Sequence, residues 1–103
     1  MILALDIGNT SIVAGGLDED EIHFTAEFST DSYKTSDEYA IMLKTVLEIH
    51  EVDRKGLEGA IIGTVVPALG EVLREAVRKV TGRRALLVGS GLKTGLNILI
   101  DSP

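Results

Sequence analysis

The chain is 103 residues long, carries 16 acidic and 10 basic side chains for a net charge of −6, and is 45% hydrophobic with no cysteine. That length gives one domain with a buried core, and the lack of cysteine excludes a disulfide framework, a thiolate metal site and a cysteine nucleophile. The acidic balance disfavours non-specific nucleic-acid binding, and no run of about 18 apolar residues marks a membrane span, so a cytoplasmic protein with neither partner is the expectation.

Met1 to Leu5 is a continuous apolar run, the pattern of a central strand buried on both faces. Ser11 to Leu17 makes a second strand, and Asp18 to Glu21 a solvated turn. From Glu21 to Ser29, Ile22, Phe24, Ala26 and Phe28 alternate with His23, Thr25 and Glu27, which predicts a half-buried third strand with His23 toward solvent. Thr35 followed three residues later by Glu38 has the spacing of a capping box. The helix it opens repeats Tyr39, Met42, Leu43, Val46, Leu47 and His50 as one apolar stripe, with His50 read as a helix-end cation.

Gly59 to Val66 predicts another buried strand, stopped by Pro67 at the start of a second helix. That helix lays down Leu69, Val72, Leu73, Ala76, Val77 and Val80 and ends near Thr81 and Gly82. Ala85 to Val88 is a short strand, and Asn97 to Ile100 a last apolar run. The order β-β-β-α-β-α-β predicts an α/β fold, a ribonuclease-H-like sheet with helices packed on it. Charge is uneven along this order, since residues 1–53 hold 12 acids and 2 bases whereas residues 54–103 hold 4 acids and 8 bases. The basic half reads as a solvated helix face, or else as a surface that attracts an anionic ligand.

The segment Asp6, Ile7, Gly8, Asn9, Thr10, Ser11, Ile12 and Val13 joins the first two strands through a glycine turn. A glycine there lets backbone approach a ligand, and amides around Asn9 and Thr10 can face phosphate oxygens. Asp6 repels phosphate unless Mg²⁺ lies between them, held by the acid, the phosphates and water. The segment is no P-loop, because that loop ends in Gly-Lys-Ser/Thr and opens a helix. Taken alone, these residues fit either a phosphate cradle or a plain hairpin turn built on Asn and Gly.

In this layout the turn is similar to the first phosphate loop of the acetate and sugar kinase, Hsp70 and actin superfamily. Within it, the chain resembles the N-terminal half of the type III pantothenate kinases. Four segments carry the likeness: DIGNTSIV at Asp6 to Val13, STDSYKTSDEY at Ser29 to Tyr39, GTVVP at Gly63 to Pro67, and VGSGLKTGLNI at Val88 to Ile98. The resemblance implies one half of an actin-like kinase fold and transfer of the ATP γ-phosphate to pantothenate, the first step of coenzyme A synthesis. It implies that Asp6 to Val13 bind the ATP phosphates, with Asp6 near Mg²⁺, that K⁺ or NH₄⁺ is a further cofactor, and that the protein is a homodimer.

The family commonly places an aromatic residue before Asp-Asn-Pro at the pantothenate pocket, where this chain has Ile100, Asp101, Ser102 and Pro103. Ile100 keeps an apolar contact with substrate but offers no hydroxyl. The family's Gly-Ala-Asp-Arg motif, with the general base, is expected beyond Pro103. Residues 1–103 are therefore expected to be a single ATPase-like domain whose catalytic half is absent and which is inactive alone. The alternatives are a non-catalytic nucleotide-binding or regulatory module, a sugar kinase of the same superfamily, and a structural domain without a ligand.

Overall fold

In a computed structural model, residues 1–19 and 21–89 are described. The apolar run Asn97 to Ile100, with Ile100 the expected substrate contact, and Asp101 lie outside them, as does most of the fourth family segment. Strands β1 (Ile2–Ile7), β2 (Ser11–Asp18) and β3 (Glu21–Ser29) precede helix α1 (Ser36–Ile49), a short 3₁₀ turn (Arg54–Gly56), β4 (Gly59–Thr64), α2 (Pro67–Thr81) and β5 (Leu86–Val88).

The five strands form one sheet in the order β3-β2-β1-β4-β5. β2 runs antiparallel to β1 and β3, while β4 is parallel to β1 and β5 parallel to β4. This is the expected α/β layout, and β1 lies at its centre. Leu3, Ala4, Leu5, Asp6 and Ile7 are all buried, which is why this strand reads as an unbroken apolar run rather than as an alternation. β3 lies at an edge and alternates as predicted, with Phe24 buried between exposed His23 and Thr25.

The crossovers from β3 to β4 and from β4 to β5 advance in the same direction across the sheet, so a common handedness puts both helices on one face. Leu3, Leu5 and Ile7 of β1 and Ile12 and Ala14 of β2 meet them there. The helices contribute Tyr39, Leu43 and Leu47 of α1 and Leu69, Leu73, Ala76, Val77 and Val80 of α2. Both capping predictions hold. Thr35 and Glu38 form the reciprocal capping box of α1, and α2 stops at Gly82, whose φ of 74° lies in the left-handed region that glycine tolerates. Among the described residues no helix is long and apolar enough to cross a membrane.

Three details depart from the sequence reading. β1 runs two residues past Leu5 and β4 stops two residues before Val66. The early stop follows from Thr64, whose hydroxyl accepts from the Val66 amide at 2.8 Å and turns the chain into α2. His50 does not simply face solvent at the helix end: its ring stacks on Phe24 with centroids 4.9 Å apart. Phe24 itself lies over Gly16, where a Cβ would come within 2.7 Å of Phe24 Cδ1, and the β2–β3 register shifts at Gly16/Leu17.

Candidate functional site

Asp6 is the one buried acid among the described residues, with 6% of its surface exposed. Strand alternation turns it away from the helices, opposite in direction to Leu5 and Ile7. Its register partners are Val13 on β2 and Gly63 on β4, so on the β4 side no side chain stands beside it. Burying a carboxylate costs several kcal/mol unless hydrogen bonds or a cation compensate it, which makes this acid the candidate centre of the site.

The chain turns at Gly8 immediately beyond it. The Gly8 amide donates to Ser11 O at 2.9 Å, which closes the hairpin around Asn9 and Thr10. A Cβ on Gly8 would approach Ser11 O to 3.1 Å, so glycine is used for close backbone approach. Left-handed φ is not the reason. Among the described residues only Glu19, Glu51 and Gly82 have positive φ, so Gly8 and Asn9 do not form the two-residue turn for which Asn-Gly is favoured. A longer hairpin loop without left-handed residues is compatible with both the cradle and the plain-turn reading. Asn9 and Thr10 are both exposed.

Two other family segments arrive at the same place. Thr30 donates its amide to Thr10 O at 3.0 Å and its hydroxyl to Gly8 O at 2.9 Å. Both carbonyls are thereby tied down. Asp31 is fixed in turn by Tyr39, whose fully buried side chain donates to Asp31 O at 2.7 Å and accepts from Asp31 N at 3.0 Å. From the other side, the Val65 amide donates to Ile7 O at 3.3 Å, which lays Gly63 to Pro67 along the end of β1.

The eight predicted residues therefore divide by what they can offer a ligand. Asp6 and the Gly8 to Ser11 turn lie together where β1 ends and β2 begins. Ile7 and Ile12 point into the core with 1% and 0% exposure and offer backbone only. Val13 is half-buried on the Asp6 face. Thr30, Tyr39, Thr64 and Val65 carry the turn's support, and sequence reasoning gave them no such role. Their signal was their place inside the Ser29 to Tyr39 and Gly63 to Pro67 segments.

Whether Asp6 fits Mg²⁺ is a question of donor chemistry. Among the described residues no group of three or more His, Cys, Asp or Glu gathers as a metal cage. One carboxylate beside an exposed backbone turn suits the mode in which Mg²⁺ takes one or two acids, phosphate oxygens and water. A groove of about 400 Å³ lined by Met1, His23, Phe24, His50 and Asp53 lies at the opposite end of the strands and takes no part in this site.

The family model described as type III pantothenate kinase matches residues 2–103. The chain is 45% identical to a type III pantothenate kinase of Finegoldia magna over 103 residues, covering all of this chain and 39% of that protein. For the Moorella thermoacetica protein of the same name the identity is 37%, with 41% of the relative covered. The chain thus spans about two fifths of the length of these relatives.

Among solved structures, a ROK hexokinase from Thermus thermophilus aligns with a TM-score of 0.65 at 19% identity, covering 85% of this chain and 34% of that one. A putative N-acetylmannosamine kinase from Listeria monocytogenes aligns with a TM-score of 0.56 at 21% identity, covering 94% of this chain and 38% of its own. At such identities the likeness is one of fold alone. With the fold, the glycine turn and a family match over nearly every residue in agreement, the chain belongs to the type III pantothenate kinase family.

Proposed function

We propose that this chain supplies the phosphate-binding half of an ATP-dependent pantothenate kinase. The carrying observation is the juxtaposition of buried Asp6 with an exposed turn at Asn9 and Thr10 whose Gly8 and Thr10 carbonyls are tied to Thr30. In this reading the turn amides and the Asn9, Thr10 and Ser11 side chains hold the ATP phosphates. Asp6 holds Mg²⁺ against them, and Ile7, Ile12 and Val13 set the backbone. The metal, when bound, neutralises phosphate charge. The protein's part is to place donors in advance, which is the larger share of catalysis in phosphoryl transfer.

Pantothenate as the acceptor rests on the sequence relatives, because a phosphate turn does not read the acceptor. Ile100 is the proposed apolar contact with it, K⁺ or NH₄⁺ the proposed monovalent cofactor, and a homodimer the proposed assembly. The general base is proposed to lie in sequence that follows the Ile100 segment in the relatives, so the 103-residue chain alone is expected to be inactive.

The test is ADP release with Mg-ATP, K⁺ and pantothenate. The chain alone is expected to give none above background. Grafted in place of the matching segment of the Finegoldia magna relative, it is expected to give pantothenate-dependent release that Asp6→Ala lowers by roughly a hundredfold or more, the scale seen when a key charge-stabilising group is removed. Turnover in the graft that survives Asp6→Ala refutes the role of Asp6, and turnover by the chain alone refutes the division into halves.

A further inference from the structure

The proposed cradle carries no lysine of its own, so a cation brought by a neighbouring segment would add to the charge that Mg²⁺ supplies there. Residues 1–53 contain two bases, Lys34 and Lys44. Lys44 lies within α1 and pairs with Glu48. Elsewhere Arg74 and Arg78 pair with Glu71 and Glu75 along α2, Lys79 pairs with Asp37, and the Arg83 guanidinium donates to Leu57 O. Lys34 is the described base carried by a segment hydrogen-bonded to the turn.

That segment is built rather than loose. Thr30 is tied to Gly8 and Thr10, Asp31 to the Tyr39 hydroxyl, and the Tyr33 amide to Asp31 Oδ1 at 2.9 Å. The Lys34 amide donates to Asp31 O at 3.3 Å. This β-turn keeps the Lys34 Cα within about 7 Å of the Asp31 Cα, one residue from the contact with the phosphate turn. Immediately afterwards Thr35 caps α1, so Lys34 is fixed from both sides. Its ammonium is 3.8 Å from Asp31 Oδ2, a long and half-exposed pairing that leaves donors for another anion.

We propose that residues 30–34 form the second wall of the phosphate site and that Lys34 is its charge-bearing residue, contacting the polyphosphate that the Gly8 to Ser11 turn cradles. This rests on the phosphate-site reading above. It gives the Ser29 to Tyr39 segment a single purpose: Thr30 and Tyr39 hold the wall, and Lys34 supplies the cation that a P-loop carries within its own loop.

The test titrates the 103-residue chain with Mg²⁺ and tripolyphosphate, followed by amide NMR shifts, for wild type, Lys34→Met and Lys34→Arg. Unchanged Thr30 and Asp31 amide shifts without ligand establish that each variant keeps the wall. Wild type is expected to shift the Asn9, Thr10 and Ser11 amides. Lys34→Met is expected to weaken binding about tenfold or more, as for loss of a charge-assisted hydrogen bond, and Lys34→Arg to restore most of it. Equal affinity of wild type and Lys34→Met, with the turn amides still shifting, overturns the role of Lys34 and leaves the phosphate site standing. No shift at the turn in wild type overturns the phosphate site, and Lys34's role with it.

Discussion

Tyr39→Phe isolates how much the wall beside the turn depends on one hydroxyl. The substitution keeps the ring, its complete burial and its packing against Phe28 at 6.4 Å between centroids. What it removes is the donation to Asp31 O and the acceptance from Asp31 N. Each bond contributes about 1 kcal/mol net, and leaving the partly buried Asp31 groups unmet adds to this, so the expected loss is about 1–3 kcal/mol. At about 4–8 °C per kcal/mol for a domain of this size, the melting temperature falls by roughly 5–15 °C. Urea unfolding followed by circular dichroism should show the same loss with an unchanged slope. Hydrogen exchange should report lost protection at Asp31, and with it Thr30. A melting shift under about 2 °C with Asp31 still protected would refute the reasoning, because the hydroxyl would then be replaceable by water at no cost.

Other consequences follow from single positions. Gly16→Ala puts a methyl within 2.7 Å of Phe24 Cδ1, and it is expected to destabilise the chain by about 1–3 kcal/mol as an overpacked core does, measured by urea unfolding. Glu51 follows the C-cap of α1 with φ of 57°, so Glu51→Gly is expected to stabilise by about 0.5–1 kcal/mol through relief of left-handed strain, read as a higher melting temperature. The hydrogen bond from Arg78 holds the Glu75 carboxyl below its ordinary value of 4.5. A depressed acid contributes stability above its unfolded pKa and loses it as pH falls through the folded one. Melting curves of wild type and Glu75→Gln should therefore differ above pH 4.5, converge in stronger acid, and differ less in high salt.

How much was legible in the sequence depended on the range of the cause. β3 and α2 follow from local periodicity, and their bounds, Glu21–Ser29 and Pro67–Thr81, agree with the alternation and with the proline start. The ends of β1 and β4 were misplaced because a neighbouring strand, or a side chain turning back as at Thr64, sets them. For Tyr39 the helical period gave the direction of the ring but not the use of the hydroxyl, whose partner lies outside the helix. His50 is a similar case. A helix end and a titratable ring suggested electrostatics, yet an aromatic neighbour on another strand decides where the ring lies.

The phosphate turn shows why its own six residues left two readings open. Nothing in DIGNTS specifies that Gly8 O and Thr10 O will be occupied by Thr30, 22 and 20 positions away in the chain. In the proposed reading that occupancy matters to a ligand. A carbonyl left free beside a phosphate repels it, whereas one already accepting a hydrogen bond from the wall is held back from the ligand. Thr30 is in turn held in place by an adjacent residue locked to Tyr39, and Tyr39 belongs to the first turns of a helix started by Thr35 and Glu38. The order of the site is therefore inherited from the tertiary fold. It follows that Tyr39→Phe, which touches neither ligand nor turn, should weaken polyphosphate binding together with stability, whereas Lys34→Met should weaken binding alone.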